Sequence, residues 1–399
     1  MDALRDIKVL SFNHFLAGPA AAQLLGDLGA DVVTIEPLEG AFQRNWAVAG
    51  HFVDGQSVNH LSTGRNKRSL SVNLKSEQGR SIVERLIAAA DVVMENFRPG
   101  AMARLGFDPE RLLRDYPRLI YAAASGFGAD GPFAQRPGQD LLLQAMSGLA
   151  AHTGRADGPP VPVGSVVIDQ HAAALYAMGI VSTLFRRERT GKGGRVDVSL
   201  LQAAVDLQGE SITAWLNGAP RQGPRGPAGV ASWFSAGGYG VHQAIDGFVA
   251  VSMSTPANLG RALGVAALGE ISENEAFVRR EDITAHVATA IASLSVAEAV
   301  ARLDACDIWN AVVEDYDTLM ENPQLKHLGA FPTVDGATGA PITLVAHPVR
   351  YDGEAPQVRH VPQPLGAQTR DILGEAGFSA DEIDGFLAAG TIRQAEQGG

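Results

Sequence analysis

Ile7-Lys-Val-Leu-Ser-Phe, Asn13-His-Phe-Leu-Ala-Gly-Pro, Ala20-Ala-Ala-Gln-Leu-Leu-Gly-Asp-Leu and Asp31-Val-Val-Thr-Ile-Glu, read in order, form the stretch whose pattern decides the fold. The outer pieces are short apolar runs suited to buried strands. The run Ala20 to Leu28 predicts a helix, with Pro19 suited to a first helical position and Gly29 to a helix C-terminus. Strand, helix and strand in succession make a βαβ unit, which joins parallel strands.

The same alternation continues downstream. Ser76 predicts the cap of a helix whose apolar residues Ile82, Val83, Leu86 and Ile87 share one face, and Asp91-Val-Val-Met-Glu-Asn-Phe follows as a strand. A helix from about Pro109 and the strand Leu119-Ile-Tyr-Ala-Ala-Ala extend a parallel, Rossmann-like sheet. Past residue 169 a helix runs to about Arg187, Gly191-Lys-Gly-Gly turns the chain, and Arg195-Val-Asp-Val-Ser-Leu is a further strand before another helix. Gly218 to Gly229, with Pro220, Pro224 and Pro227, reads as a linker. From about Trp233 to Val312 strand signals around Gly247-Phe-Val-Ala-Val-Ser-Met give way to helix after Ile283, which predicts a smaller α/β domain. Thr369 to Ile392 returns to amphipathic helix after the Pro-rich residues 356–364.

At 399 residues the chain exceeds one small core and fits two domains. Its net charge of −12 argues against affinity for nucleic acid or an anionic membrane surface, because the summed field repels polyanions. One cysteine, Cys306, excludes an internal disulfide and a thiolate-rich metal site, and reads as a buried thiol in a reducing compartment. The N-terminal residues lack the basic and apolar regions of a signal peptide, and no apolar run approaches the ~20 residues of a membrane span. The expectation is a cytoplasmic protein.

The loop after the first strand is not G-x-G-x-x-G, which argues against a dinucleotide, and Arg189-Thr-Gly-Lys-Gly-Gly lacks phosphate-loop spacing and reads as a turn. Arg65, Lys67, Arg68, Lys75, Arg98 and Arg104 concentrate positive charge near loops in an acidic chain. They are either a solvated face or the site of a multiply phosphorylated small molecule at the carboxyl ends of strands. Asp169, a lone carboxylate between a Gly/Pro loop and a long apolar helix, is also open to two readings: a helix cap, or a nucleophile at the floor of a pocket.

The motifs Ala17-Gly-Pro, Gly64-Arg-Asn-Lys-Arg-Ser-Leu-Ser-Val-Asn-Leu-Lys, Glu95-Asn-Phe-Arg-Pro-Gly, Arg104-Leu-Gly-Phe, Ser125-Gly-Phe-Gly and Gly158-Pro-Pro with Asp169 follow one another in an order that closely resembles the family III CoA-transferases. That family holds formyl-CoA and carnitine CoA-transferases and, as a divergent branch, α-methylacyl-CoA racemases. The resemblance is dense from Ile7 to about Gln202 and thinner through Asn322-Pro, Pro364-Leu-Gly, Leu373 and Gly377.

The resemblance implies an α/β fold with a Rossmann-like large domain formed by both termini and a smaller α/β domain, in a ring-like subunit of an interlocked homodimer. The expected division is residues 1–200, a linker 201–224, a small domain 225–315, a linker 316–340 and the returning large domain 341–399. It implies that His14, Leu16 and Ala17 line the path of CoA, that Val72 and Lys75 approach its nucleotide end, and that Asn96, Phe97, Arg98 and Arg104 hold the adenosine and phosphates. Pro37 and Pro137 stand where some relatives carry a basic CoA contact, so those two contacts do not transfer.

Asp169 aligns with the family nucleophile, expected to be ionised near its ordinary pKa of about 3.9, and Asp140 with an acidic residue of the active site or a cap for the helix it begins. Where the racemase branch has Gly-His-Asp, this chain has Gly138-Gln-Asp, and Gln139 has no proton to relay. The expected activity is therefore transfer of CoA from a small acyl-CoA to a carboxylic acid, through an aspartyl mixed anhydride and an enzyme-CoA thioester. The alternatives are a CoA-ester racemase, an intramolecular CoA-transferring isomerase, or a CoA-ester-binding protein without turnover. CoA enters as substrate, with no permanently bound cofactor and no metal required. Ser235-Ala-Gly-Gly-Tyr-Gly is a lid or a tight turn, His171 is structural or interfacial or else forms a catalytic pair with His14, and Arg44 and Arg221 either hold a second carboxylate or are surface charges.

Overall fold

The computed structural model describes residues 2–220 and 225–395. Arg221 and part of the expected 218–229 linker lie outside the described residues. The chain divides into two compact units, one of Met1–Leu143, Val166–Leu207 and Pro323–Gly399, the other of Gln144–Ser165 and Gln208–Asn322. The division runs through the Gly/Pro loop ahead of Asp169, not only through the segments expected to be linkers.

The first unit carries β1 (Lys8–Phe12), α1 (Ala17–Asp27), β2 (Asp31–Glu36), β3 (Lys67–Val72), α2 (Glu77–Ala88), β4 (Val92–Glu95), β5 (Ile120–Ser125), α3 (Val167–Thr190), β6 (Gly194–Ser199) and β7 (Ile392–Arg393). The sheet order is β7-β3-β2-β1-β4-β5-β6, parallel throughout except for β7, which runs antiparallel to β3. This is the doubly wound Rossmann order, and the strand contributed by the C-terminus completes it. α1 begins at Ala17, earlier than its sequence pattern suggests, so Pro19 is its third residue, still in the first turn where a missing N–H leaves no bond unmade.

One face of the sheet packs on α1 and α3, where Ala21, Leu25, Ile168, Ala172, Tyr176, Ile180 and Leu184 are buried against Val9, Val92, Met94 and Ile120. Along α3 the buried positions recur every fourth residue, the spacing of one helical face. The other face packs on α2 and the C-terminal helices through Leu10, Phe12, Ile82, Val83, Ile87, Leu373 and Ile383. Ser76 caps α2 as expected, its Oγ accepting the Gly79 N–H at 3.0 Å.

The second unit holds a three-stranded antiparallel sheet of Asn310–Val312, Phe248–Val251 and Gly240–Gln243, in that order. Helices Pro256–Leu263, Arg280–Ala292 and Val296–Asp304 share its core, which includes Val249, Leu259, Ile283, Val287 and Leu303. Cys306 is half-buried at the edge of this core, more open than the buried thiol expected.

Candidate active site

The strand order reverses between β1 and β4, and in open parallel sheets ligands gather beyond the carboxyl ends of strands at such a switch point. The two loops that leave those ends are locked together. His14 N–H donates to Asn96 Oδ1 and Asn96 Nδ2 donates back to His14 O, both at 2.8 Å. The His14 ring stacks on Phe97 with centroids 5.2 Å apart, and burial holds its pKa below the usual histidine value. Leu16 is half-buried and accepts the Ala20 N–H through its carbonyl as α1 begins, and Ala17 is buried in the first turn.

The remaining expected CoA contacts differ in what they offer. Arg98 and Arg104 are exposed, Arg104 on the short helix Ala101–Arg104, and Lys75 is exposed in the turn after β3. Val72 is fully buried at the end of β3 beside β7, so its side chain presents no surface to a ligand.

Three residues of the basic cluster are used inside the protein and correct the reading of it as one anion site. Arg65 is buried and paired with Asp27 at 2.6 Å, Lys67 Nζ donates to Pro19 O at 2.5 Å, and Arg68 pairs with Asp31 and Glu375. They cluster at the start of β3, the opposite end from the carboxyl edge. Arg44 is also taken: it forms a bidentate pair with buried Glu36 and donates to Gln363 O, and is neither a surface charge nor free to hold a substrate carboxylate.

Asp169 is the third residue of α3, whose N-cap position is Val166. Its side chain caps nothing, which corrects the helix-cap reading. The capping carboxylate comes from elsewhere: Asp140 Oδ2 accepts Ile168 N–H at 2.8 Å and Asp169 N–H at 3.0 Å, closing the start of α3 from the helix Asp140–Met146. Gly126 and Gly138 allow this approach, because a Cβ on either would stand 2.5 Å or less from the other's Cα. Gln139 is exposed beside Asp140, its carbonyl accepting Leu143 N–H.

The consequence is electrostatic. Burial, with the Asp140 charge added, pushes the half-buried Asp169 carboxyl up to about 7. Among the described residues no cation pairs with it. The expectation that Asp169 sits ionised near the ordinary aspartate value is therefore corrected: the first-turn N–H groups are engaged by Asp140, and desolvation prevails. The carboxyl so placed stands at the start of a crossover helix, and hence over the carboxyl edge of the sheet, with little solvation of its charge.

Other candidates resolve as structure. His171 pairs with Asp206 at 2.8 Å. In the Ser235–Gly240 segment, a Cβ at Gly237 would meet Arg280 O and Ile283 at 2.6 Å, and Gly238 N–H donates to Thr284 Oγ1. Its glycines allow close packing within the second unit and do not by themselves mark a lid. Glu95, at the end of β4, is buried, and its sequence neighbours do not reveal it as part of the site. They show only a charge closing the apolar run Val92-Val-Met.

The class defined here is a doubly wound α/β protein with a partly desolvated carboxyl and a ring-lined loop pair at the carboxyl edge of its sheet. The sequence profile of CoA-transferase family III matches residues 4–369. The chain is 30% identical to an acyl-CoA transferase of Fusarium pseudograminearum, over 98% of this chain and 88% of that one. It is also 30% identical to the succinyl-CoA:glutarate CoA-transferase of Mus musculus, over 99% and 92%. An acetyl-CoA:oxalate CoA-transferase of Acetobacter aceti is 42% identical across 52% of this chain and 53% of its own. A CAIB/BAIF family protein from Brucella suis superposes with a TM-score of 0.79 at 28% identity, covering 94% of this chain and 99% of that one. This chain belongs to CoA-transferase family III, and it is a CoA-transferase enzyme of that family.

Proposed function

We propose that this protein moves CoA from a small acyl-CoA to a carboxylic acid, with Asp169 as the nucleophile. The observation that carries the reading is the uncapped, half-buried Asp169 carboxyl, raised to about 7 beside Asp140. The ionised carboxylate attacks the thioester carbonyl, the tetrahedral adduct expels CoA thiolate, and an aspartyl mixed anhydride remains. The thiolate then attacks the aspartyl carbonyl, forming the enzyme-CoA thioester and releasing the donor acid. The acceptor carboxylate attacks that thioester, again expelling CoA thiolate, which returns to the acceptor's carbonyl and leaves as the new acyl-CoA with Asp169 restored. No proton moves in the net exchange, so the site needs no general base, and Gln139 in place of a titrating residue is compatible with the route. Arg98, Arg104 and Lys75 supply exposed positive charge for the phosphates of CoA, with His14, Asn96 and Phe97 against its organic portion.

The relatives named for oxalate and glutarate favour a dicarboxylic acceptor. An interlocked homodimer is part of the proposal, and it is supported by Met178 and Phe185, one face of α3 apart by seven residues and each 60% exposed. The unpaired Cys306 fits the reducing cytoplasm. Among the described residues no helix is long and apolar enough to cross a membrane.

Incubation with a cognate acyl-CoA is expected to leave a hydroxylamine-sensitive adduct on the peptide holding Asp169, and a donor-by-acceptor activity matrix names the acids. Solvent deuterium entering the α-carbon without an acceptor would make the protein a racemase instead. Transfer within one dicarboxylate that ignores added acceptor would make it an isomerase. Tight CoA-ester binding with neither adduct nor transfer would leave a binding protein.

A further inference from the structure

Glu95 is 8% exposed at the last position of β4, where a carboxylate loses most of its hydration. It is held from two sides. Its Oε2 accepts the Phe97 N–H at 2.6 Å and its Oε1 accepts the Tyr121 hydroxyl at 3.2 Å. Its main chain is gripped by Tyr176, whose Oη accepts the Glu95 N–H at 3.2 Å and bonds onward to Ala122 O at 2.6 Å. Tyr176 lies on α3 two turns beyond Asp169, so Glu95 stands where the nucleophile's helix and the Asn96–Phe97 loop meet the sheet. Beneath that loop is a cleft of about 210 Å³, bordered by Phe97, Pro99, Gly100 and Met102. The loop therefore borders a hollow while the Phe97 ring packs on the core of the sheet, and the Glu95 bond fixes the backbone that carries that ring.

We propose that Glu95 is a positioning residue for acyl-CoA, holding the Asn96–Phe97 loop in its receiving conformation through the Phe97 N–H, with Tyr121 fixing the carboxylate. The inference rests on the reading of His14, Asn96 and Phe97 as part of the CoA site. Glu95 touches no reacting atom, and its effect passes through the Phe97 backbone and the His14 ring stacked on Phe97.

The groups facing its carboxyl are Tyr121 on β5, Arg195 and Asp197 on β6, and Tyr176 on α3, with Asp108 and Glu110 lining the far side of the cleft. Burial outweighs the Phe97 and Tyr121 hydrogen bonds and the Arg195 charge, and pushes Glu95 up to about 7. The ionised form makes the stronger, charge-assisted bond to Phe97. The grip on CoA should accordingly tighten as pH rises through 7.

The test is CoA affinity by calorimetry, and KM for acyl-CoA against kcat, across pH 6–8 in the wild type, Glu95→Gln, Glu95→Ala and Tyr121→Phe. Glu95→Ala is expected to weaken CoA binding about tenfold, the loss of one buried charge-assisted bond, with the loss carried mainly by KM. Glu95→Gln keeps an acceptor for Phe97 and should lose less, and its affinity should stay flat between pH 6 and 8 where that of the wild type rises. Unchanged CoA affinity and pH dependence in folded Glu95→Gln and Tyr121→Phe proteins would overturn the proposal. Arg104→Ala and Phe97→Ala separate the two readings: if they weaken CoA binding while the Glu95 variants do not, only the positioning role fails, and if none of them does, the CoA site itself is misplaced.

Discussion

Two regions of the first unit bury carboxylates in opposite ways. On the β2 and β3 half of the sheet, Asp27 at the end of α1 and Glu36 at the end of β2 are 3% and 2% exposed, each with an arginine on it: Arg65 on Asp27 and Arg44 on Glu36. Burial pushes the Glu36 carboxyl up, but Arg44, His60 and the Ser69 hydroxyl outweigh it and hold it below the usual value. At the start of α3, burial and then the charge of Asp140 push the Asp169 carboxyl up to about 7. The first arrangement neutralises charge and ties segments together. The second leaves a carboxyl without a cation partner among the described residues, a charge that folding alone does not require and the place where chemistry is to be sought.

The largest test of this contrast is Asp169→Ala, which should lower transfer by about a thousandfold or more while circular dichroism stays native. Next comes Arg65→Ala, which strands the buried Asp27 charge and should cost about 3–5 kcal/mol in denaturant unfolding. The contrast breaks if Asp169→Ala unfolds the protein and Arg65→Ala does not. Asp169→Asn should do the reverse of Arg65→Ala. A carboxyl whose folded pKa of about 7 exceeds its ordinary value binds more protons folded than unfolded in the window between them, so stability declines as pH rises through it. The neutral isostere escapes this, and its Tm should exceed wild type by a few degrees at pH 8 and match it at pH 4.

Asp140→Asn sharpens the comparison further. It retains an acceptor for the start of α3 but removes the like charge, so the ascending limb of kcat/KM against pH should move to lower pH without reaching the ordinary aspartate range, since burial is the larger cause. The smallest effect expected is a modest rise in KM for acyl-CoA between low and physiological salt, from screening of the exposed Lys75, Arg98 and Arg104. A salt effect of equal size in an Arg98→Ala, Arg104→Ala double variant would separate those arginines from the phosphates.

Much of this was legible from residue order. The apolar runs at Val9, Val32 and Val92 became β1, β2 and β4, Ser76 caps the helix that follows it, and a helix does begin at Pro109. Asp169 could be singled out as a lone carboxylate ahead of an apolar helix, and the Asn96 loop through its resemblance to a family motif. Arg44, Arg65 and Lys67 were less legible. Nothing near them in sequence reveals Glu36, Asp27 or Pro19 as their partners, and an arginine in a loop looks the same whether it meets a phosphate or a buried carboxylate.

The sequence by itself determined the alternation of strands and helices, the want of a dinucleotide loop and the position of the carboxylate, because propensity, capping and periodicity act over a few neighbouring residues. Only the tertiary structure decided which charges cancel and which remain. Asp140 reaches the first turn of α3 across 28 residues of chain, because Gly126 and Gly138 let two backbones touch. That approach leaves Asp169 desolvated beside a like charge, and a pKa answers to what surrounds a group in space, not to its neighbours in the chain.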